Sequence, residues 1–107
     1  MAETQITKYL PLTEATFYIL VALVEPLHGY GIMQKVEGMS EGTVSIGPGT
    51  MYGAFTNLEK EGLISMVKEE DRRKSYALTV KGRQVLAEQI RRLAIMARNG
   101  QAVLPHL

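Results

Sequence analysis

Cysteine and tryptophan are absent from the 107 residues, and phenylalanine occurs only twice. Without cysteine there is no disulfide, no thiolate metal site and no thiol nucleophile, and a reducing, cytoplasmic setting is the natural expectation. Long hydrophobic runs are lacking as well. The first apolar stretch, Phe17 to Val24, is far shorter than the roughly 20 residues a bilayer span needs, and only Lys8 stands before it as a basic residue, so no membrane segment or secretion signal is expected. Paired carboxylates, a Ser/His/Asp set and metal-ligand spacings are all missing, which excludes an enzyme on present signs and leaves no expected cofactor. Gly47-Pro48-Gly49 is not a dinucleotide fingerprint, because position 52 is Tyr where a third glycine belongs and no βαβ unit surrounds it. His28, beside Gly29, is expected to satisfy backbone groups at a helix start.

Net charge is close to zero, at +1, but its distribution is uneven. Residues 1–67 hold three Lys and seven Glu, a balance of −4, while residues 68–107 hold nine Lys plus Arg against four Asp plus Glu, a balance of +5. Such asymmetry hints at one face meant for an anion. At this length the chain forms one domain with a modest core.

The stretch with the clearest start, body and stop is 47–64, GPGTMYGAFTNLEKEGLI. Pro48 suits the first helical position, and Gly62 sits where a left-handed C-terminal cap belongs. Met51, Phe55 and Leu58 recur at i, i+4, i+7 as one apolar stripe. The other face, with Gly49, Gly53, Thr56, Asn57 and Lys60, is small and nearly uncharged. Gly53 in mid-helix costs roughly 1 kcal/mol relative to Ala, which is reasonable where another body must approach the backbone.

Around this helix the order is regular. Thr13 caps a helix that runs to Glu25, ahead of Pro26. It is apolar nearly all round, which implies a partner subunit in so small a domain. A turn through Leu27, His28 and Gly29 leads to a second helix, about Tyr30 to Glu37. Thr43 to Ile46 reads as one short strand. Alternation at Ile64 to Val67 and Ser75 to Leu78 predicts a β-hairpin. Its connection, residues 68–74, has no Gly or Asn pair and is expected to be long, mobile and charged. Thr79 caps a long helix that stops near Asn99 and Gly100. Leu86, Ile90, Leu93 and Ala97 form an a/d seam on it, suited to packing on another subunit. The fold class is thus mainly α with a small β-hairpin: a winged helix-turn-helix with a long C-terminal dimerisation helix. A single domain covers 1–107, with the winged-helix part at about 11–78, the dimerisation helix at about 79–99 and a flexible tail at 100–107.

In such a fold the third helix enters the major groove of double-stranded DNA. The candidate contacts are Thr50, Gly53, Thr56 and Asn57 at base edges and Lys60 at phosphate. Tyr52 has two readings, a DNA contact or a ring filling the core. Arg72, Arg73 and Lys74 are the wing candidates for phosphates, against the alternative of a solvated turn balanced by Glu69, Glu70 and Asp71. Phe17, Leu20, Leu86, Ile90, Leu93 and Ala97 are the candidate dimer contacts. Tyr9, Tyr18 and Met96 are candidates for an effector pocket, with core packing as the competing reading.

Four blocks, LTEATFYIL at 12–20, LHGYGI at 27–32, GPGTMYGAFTNLEKEGLI at 47–64 and EEDRRKSYALTVKGR at 69–83, together resemble the PadR family of bacterial transcriptional regulators, up to about Leu93. The resemblance implies a homodimeric winged-helix repressor of the short subgroup. Its last helix dimerises, and a small lipophilic or aromatic effector releases it from DNA. Met51 and Phe55 stand where the family more often has Leu, which preserves their core role. The terminal helix carries no aromatic ring, so a stacking drug site does not carry over. The alternative function is a winged-helix dimerisation or protein-interaction module without DNA binding, supported by the mixed charge at the wing.

Overall fold

The computed structural model describes residues 6–107. The elements are α1 (Glu14–Ala22), β1 (Leu27–His28), α2 (Gly29–Met39), α3 (Pro48–Lys60), β2 (Ile64–Glu70), β3 (Arg73–Leu78) and α4 (Val80–Val103), with a closing 3₁₀ turn at Leu104–His106. The fold is mainly helical, with one small antiparallel sheet in the order β1-β3-β2. One core gathers Ile19, Leu20 and Leu23 of the first segment, Ile32 and Val36 of α2, Met51, Phe55 and Leu58 of α3, and Val85 and Leu86 of α4. The apolar stripe read at i, i+4, i+7 is therefore the buried face of α3.

Helix starts follow local chemistry. The Thr13 hydroxyl accepts from Thr16 N–H at 3.1 Å, and the Thr79 hydroxyl accepts from Gly82 N–H at 3.0 Å. His28 caps α2, its Nδ1 accepting from Gly31 N–H at 3.3 Å, so the expected structural role holds.

Helix ends follow distant partners. α1 stops at Ala22 and not at Glu25, because the Leu23 carbonyl accepts from Leu78 N–H at 3.1 Å and the Val24 carbonyl from Arg83 at 3.1 Å. Thr43 to Ile46 is no strand. The Ser40 hydroxyl accepts from Val44 N–H and donates to the Val44 carbonyl, both at 3.1 Å, so this loop needs no strand partner. The third strand is instead Leu27–His28, paired with Tyr76 and Ser75.

The wing also differs from expectation. β2 and β3 extend to Glu70 and Arg73, leaving Asp71 and Arg72 as a two-residue turn with φ of 52° and 66°. Both central residues with positive φ define the hairpin turn that Asn-Gly usually supplies. Asp tolerates this region; Arg does so at a cost of roughly 1–2 kcal/mol. Pairing slips between Met66 and Lys68, a bulge that adds twist to the edge strand. At the other end, α4 runs through Asn99 and Gly100 to Val103, and 104–106 form a 3₁₀ turn, so 100–107 is not an irregular tail. One helical glycine costs only about 1 kcal/mol, and the Asn99 amide turns back to the Ile95 carbonyl at 3.1 Å. Most of α4 beyond Gln89 stands clear of the core, and the molecule reaches 54 Å along its longest axis.

Candidate nucleic-acid interface

The outer face of α3 is set by what its inner face buries. With Met51, Phe55 and Leu58 in the core, Gly49, Thr50, Tyr52, Gly53, Thr56, Asn57 and Lys60 are all exposed. A Cβ at Gly53 would meet nothing within 4 Å, so the chain's own packing gives no reason for glycine there. The Thr56 hydroxyl donates to the Tyr52 carbonyl at 3.0 Å, which fixes the side chain and leaves its methyl group and oxygen lone pairs to face outward. At the far end, Lys81 donates to the Glu61 carbonyl at 3.0 Å, and the Tyr9 hydroxyl donates to the Glu61 carboxylate at 3.0 Å.

Tyr52 is not a core ring. It is 59% exposed, meets Phe55 edge-on at 6.3 Å, and its hydroxyl lies 3.4 Å from where a Gly29 Cβ would stand. A Cβ at Gly29 would fall 2.6 Å from Met51 Cε, so glycine there makes room first for the buried Met51 side chain, with the phenol beside it at the first turn of α2. Phe55 in turn packs against Tyr76 of β3, ring centroids 4.8 Å apart and planes tilted by 54°, so the rings tie α3 to the wing.

Glu69 and Glu70 lie opposite Lys74 and Arg73 in the hairpin register. Glu70 nevertheless pairs with Lys68, at 2.9 Å, and among the described residues no carboxylate forms an ion pair with Arg72, Arg73 or Lys74. Those three cations line a cleft of about 340 Å³ with His28, Tyr30 and Tyr52, and no Asp or Glu lines it. A second charge feature lies on the solvated side of α4. There Arg91 donates to Glu88, holding that carboxyl below its usual range, chiefly through the hydrogen bond itself. Among the described residues no group of three or more His, Cys, Asp or Glu could hold a metal, and no helix is long and apolar enough to cross a membrane.

Residues 19–88 match the sequence profile of the transcriptional regulator PadR-like family. The chain belongs to the PadR-like family. This PadR-like chain is 35% identical over 82 residues to an uncharacterized 37.1 kDa protein in a transposon of Streptomyces fradiae, a match covering 76% of the chain and 23% of the relative. It is 34% identical over 61 residues to the transcriptional regulator YqjI of Escherichia coli, covering 57% of the chain and 30% of YqjI. The chain spans less than a third of either relative. A PadR-like transcription factor from Bacteroides fragilis superposes with a TM-score of 0.68 at 25% identity, over 94% of the chain and 96% of that structure. Proteins of this family are described as transcriptional regulators.

In this PadR-like fold the expected dimer residues divide. Leu20 is fully buried and Leu86 nearly so, both within the chain's own core; on α1 Ile19 and Ala22 are buried as well, while Tyr18 and Val21 keep part of their surface open. Phe17 is half-buried, edge-on to Tyr18 at 5.4 Å. Ile90 and Ala97 are exposed on α4 and Leu93 is half-buried; Met96, at 65% exposure, continues the same apolar face. Tyr9, Tyr18 and Met96 do not converge: Tyr9 lines a cleft of about 180 Å³ beside Asn57 and Glu61 that neither of the others shares. Nothing in the sequence singles out Tyr30 and His28 as lining the cleft beside the wing cations. β1 is too short to show in the sequence, and its partner on β3 lies almost fifty positions away.

Proposed function

We propose that the chain is a sequence-specific, homodimeric DNA-binding repressor. The observation that carries this reading is the outer face of α3: exposed, without a charged residue from Pro48 to Leu58, and opened at Gly53 where no internal contact demands a glycine. Such a face suits base edges, with Thr50, Thr56 and Asn57 reading sequence and Lys60 with the wing cations holding phosphates. Arg72, Arg73 and Lys74, which form no ion pair with a carboxylate among the described residues, favour DNA over a charge-balanced interaction module. Dimerisation through Ile90, Leu93, Met96 and Ala97 would cover the apolar face of the projecting helix and carry two copies of α3 to successive major grooves. Release by a small lipophilic effector belongs to the same reading. Such a molecule acts by binding better to a dimer whose helix spacing no longer fits the operator.

The test is an equilibrium titration of duplexes enriched by the pure protein, at several salt concentrations. Specific binding weakens with salt by a log–log slope of about −0.9 for each phosphate neutralised. Flat salt dependence, or no enriched sequence, refutes the reading.

A further inference from the structure

Resting on that dimeric DNA-binding reading, we infer that α3 and α4 are locked end to end as one rigid piece, and that Lys81 is a positioning residue which fixes the half-site spacing the dimer accepts. The lock is built on main-chain carbonyls. Three successive residues leaving α3 each give their carbonyl to the start of α4: Glu61 accepts from Lys81 Nζ at 3.0 Å, Gly62 from the Thr79 hydroxyl at 2.6 Å and Leu63 from Thr79 N–H at 3.1 Å. The same Thr79 hydroxyl accepts from Gly82 N–H at 3.0 Å, so one side chain caps α4 and holds the exit of α3. Leu63 N–H donates to the Leu58 carbonyl at 2.9 Å, with Gly62 at φ 77°, which ties that exit back onto α3 itself. Buried Gly82 brings the α4 backbone against Leu63, since a Cβ there would fall 2.0 Å from the Leu63 carbonyl oxygen.

Two points fix an angle, whereas one is a pivot. The Gly62 and Leu63 carbonyls both go to Thr79, so Lys81 supplies the second point. Its long side chain is braced: the ammonium lies 4.9 Å from the centroid of the Tyr9 ring, and the Tyr9 hydroxyl donates to the Glu61 carboxylate at 3.0 Å. All three residues are half-buried, and the ring against the ammonium restricts the rotamers that Lys81 can adopt. The segment carrying Tyr9 is anchored on α4 in turn, where buried Gln89 accepts from Leu12 N–H at 2.9 Å. In a dimer joined through α4, the distance and angle between the two copies of α3 are then set by this junction. One base pair inserted between half-sites turns the second by about 34° and moves it by about 3.4 Å. A rigid pair cannot follow that step; a pair free to pivot at Thr79 can.

The test uses duplexes enriched by the wild-type chain and the same duplexes lengthened by one central base pair. The wild type is expected to bind the longer duplex about tenfold more weakly or worse, the ordinary loss for a misplaced base contact. In Lys81→Met, which keeps the aliphatic stem and removes the donor, that ratio should be several-fold smaller, with the dimer intact by sedimentation and the salt slope on the matched duplex unchanged. Tyr9→Phe, which removes only a hydroxyl, should move the ratio in the same direction and carries the comparison if Lys81→Met fails to fold. Lys81→Arg, which keeps a cationic donor against the ring, should retain the wild-type ratio. A ratio unchanged in the folded Lys81→Met variant, or a wild type that binds both duplexes alike, would overturn the lock. A salt slope shallower by about 0.9 in Lys81→Met would make Lys81 a phosphate contact and overturn it too. If the wild type binds no duplex or is a monomer, the underlying DNA-binding reading falls instead.

Discussion

Replacing Gly53 by Ala should move folding and DNA binding in opposite directions. Gly53 lies inside α3, is exposed, and would place its new methyl group within 4 Å of nothing. No overpacking offsets the gain in helix propensity, about 1 kcal/mol, so the thermal midpoint should rise by about 4–8 °C for a domain of this size, compared at one protein concentration. On DNA the same methyl group points into the space the duplex must fill. Squeezing a methyl group into a close-packed contact costs about 1–3 kcal/mol, a loss of roughly 5- to 150-fold in affinity. Differential scanning fluorimetry and a binding titration on one duplex read the two effects separately. A variant that is more stable and binds equally well would show that nothing approaches the helix at Gly53. A variant that is not stabilised would refute the claim that glycine here is a local sacrifice.

Arg72→Gly should act in the same way at the wing: relief of the left-handed backbone at φ 66° stabilises the hairpin by about 1 kcal/mol. The salt slope of DNA binding becomes shallower by up to about 0.9. Gly82→Ala should do the reverse, because its Cβ would fall 2.0 Å from the Leu63 carbonyl oxygen, which already accepts from Thr79 N–H. α4 must then shift, costing about 3 kcal/mol or more, read as a fall of over roughly 10 °C in thermal midpoint. Leu93→Asp, at a half-buried site on the projecting part of α4, should yield a monomer by sedimentation and lose operator binding; a dimer that persists would place the interface elsewhere.

Elements whose ends depend on their own residues were legible in the sequence. Pro48 and Gly62 bracket α3, Gly62 with φ of 77°, and Thr13, His28 and Thr79 cap their helices. Features decided by distant partners were not. α1 ends early because Leu78 and Arg83 take the carbonyls of the two residues that follow it, Leu23 and Val24, and β1 exists only because β3 is beside it. The turn at Asp71 and Arg72 was misread for a different reason: strand pairing up to Glu70 and Arg73 imposes a backbone that the local residues disfavour. The exposed face of α3 followed from the apolar period, since fixing one side of a helix fixes the other. The cleft could not follow, because its walls come from α2, α3 and β3.

The central claim is that paired chains each lay the outer face of α3 in the major groove. Methylation protection of guanine N7, which lies in that groove, tests it most directly on an enriched duplex. The account predicts two protected clusters one helical turn apart, about 10–10.5 base pairs centre to centre, both lost in Leu93→Asp. Binding that leaves every guanine N7 reactive, or that protects one isolated cluster, would contradict it.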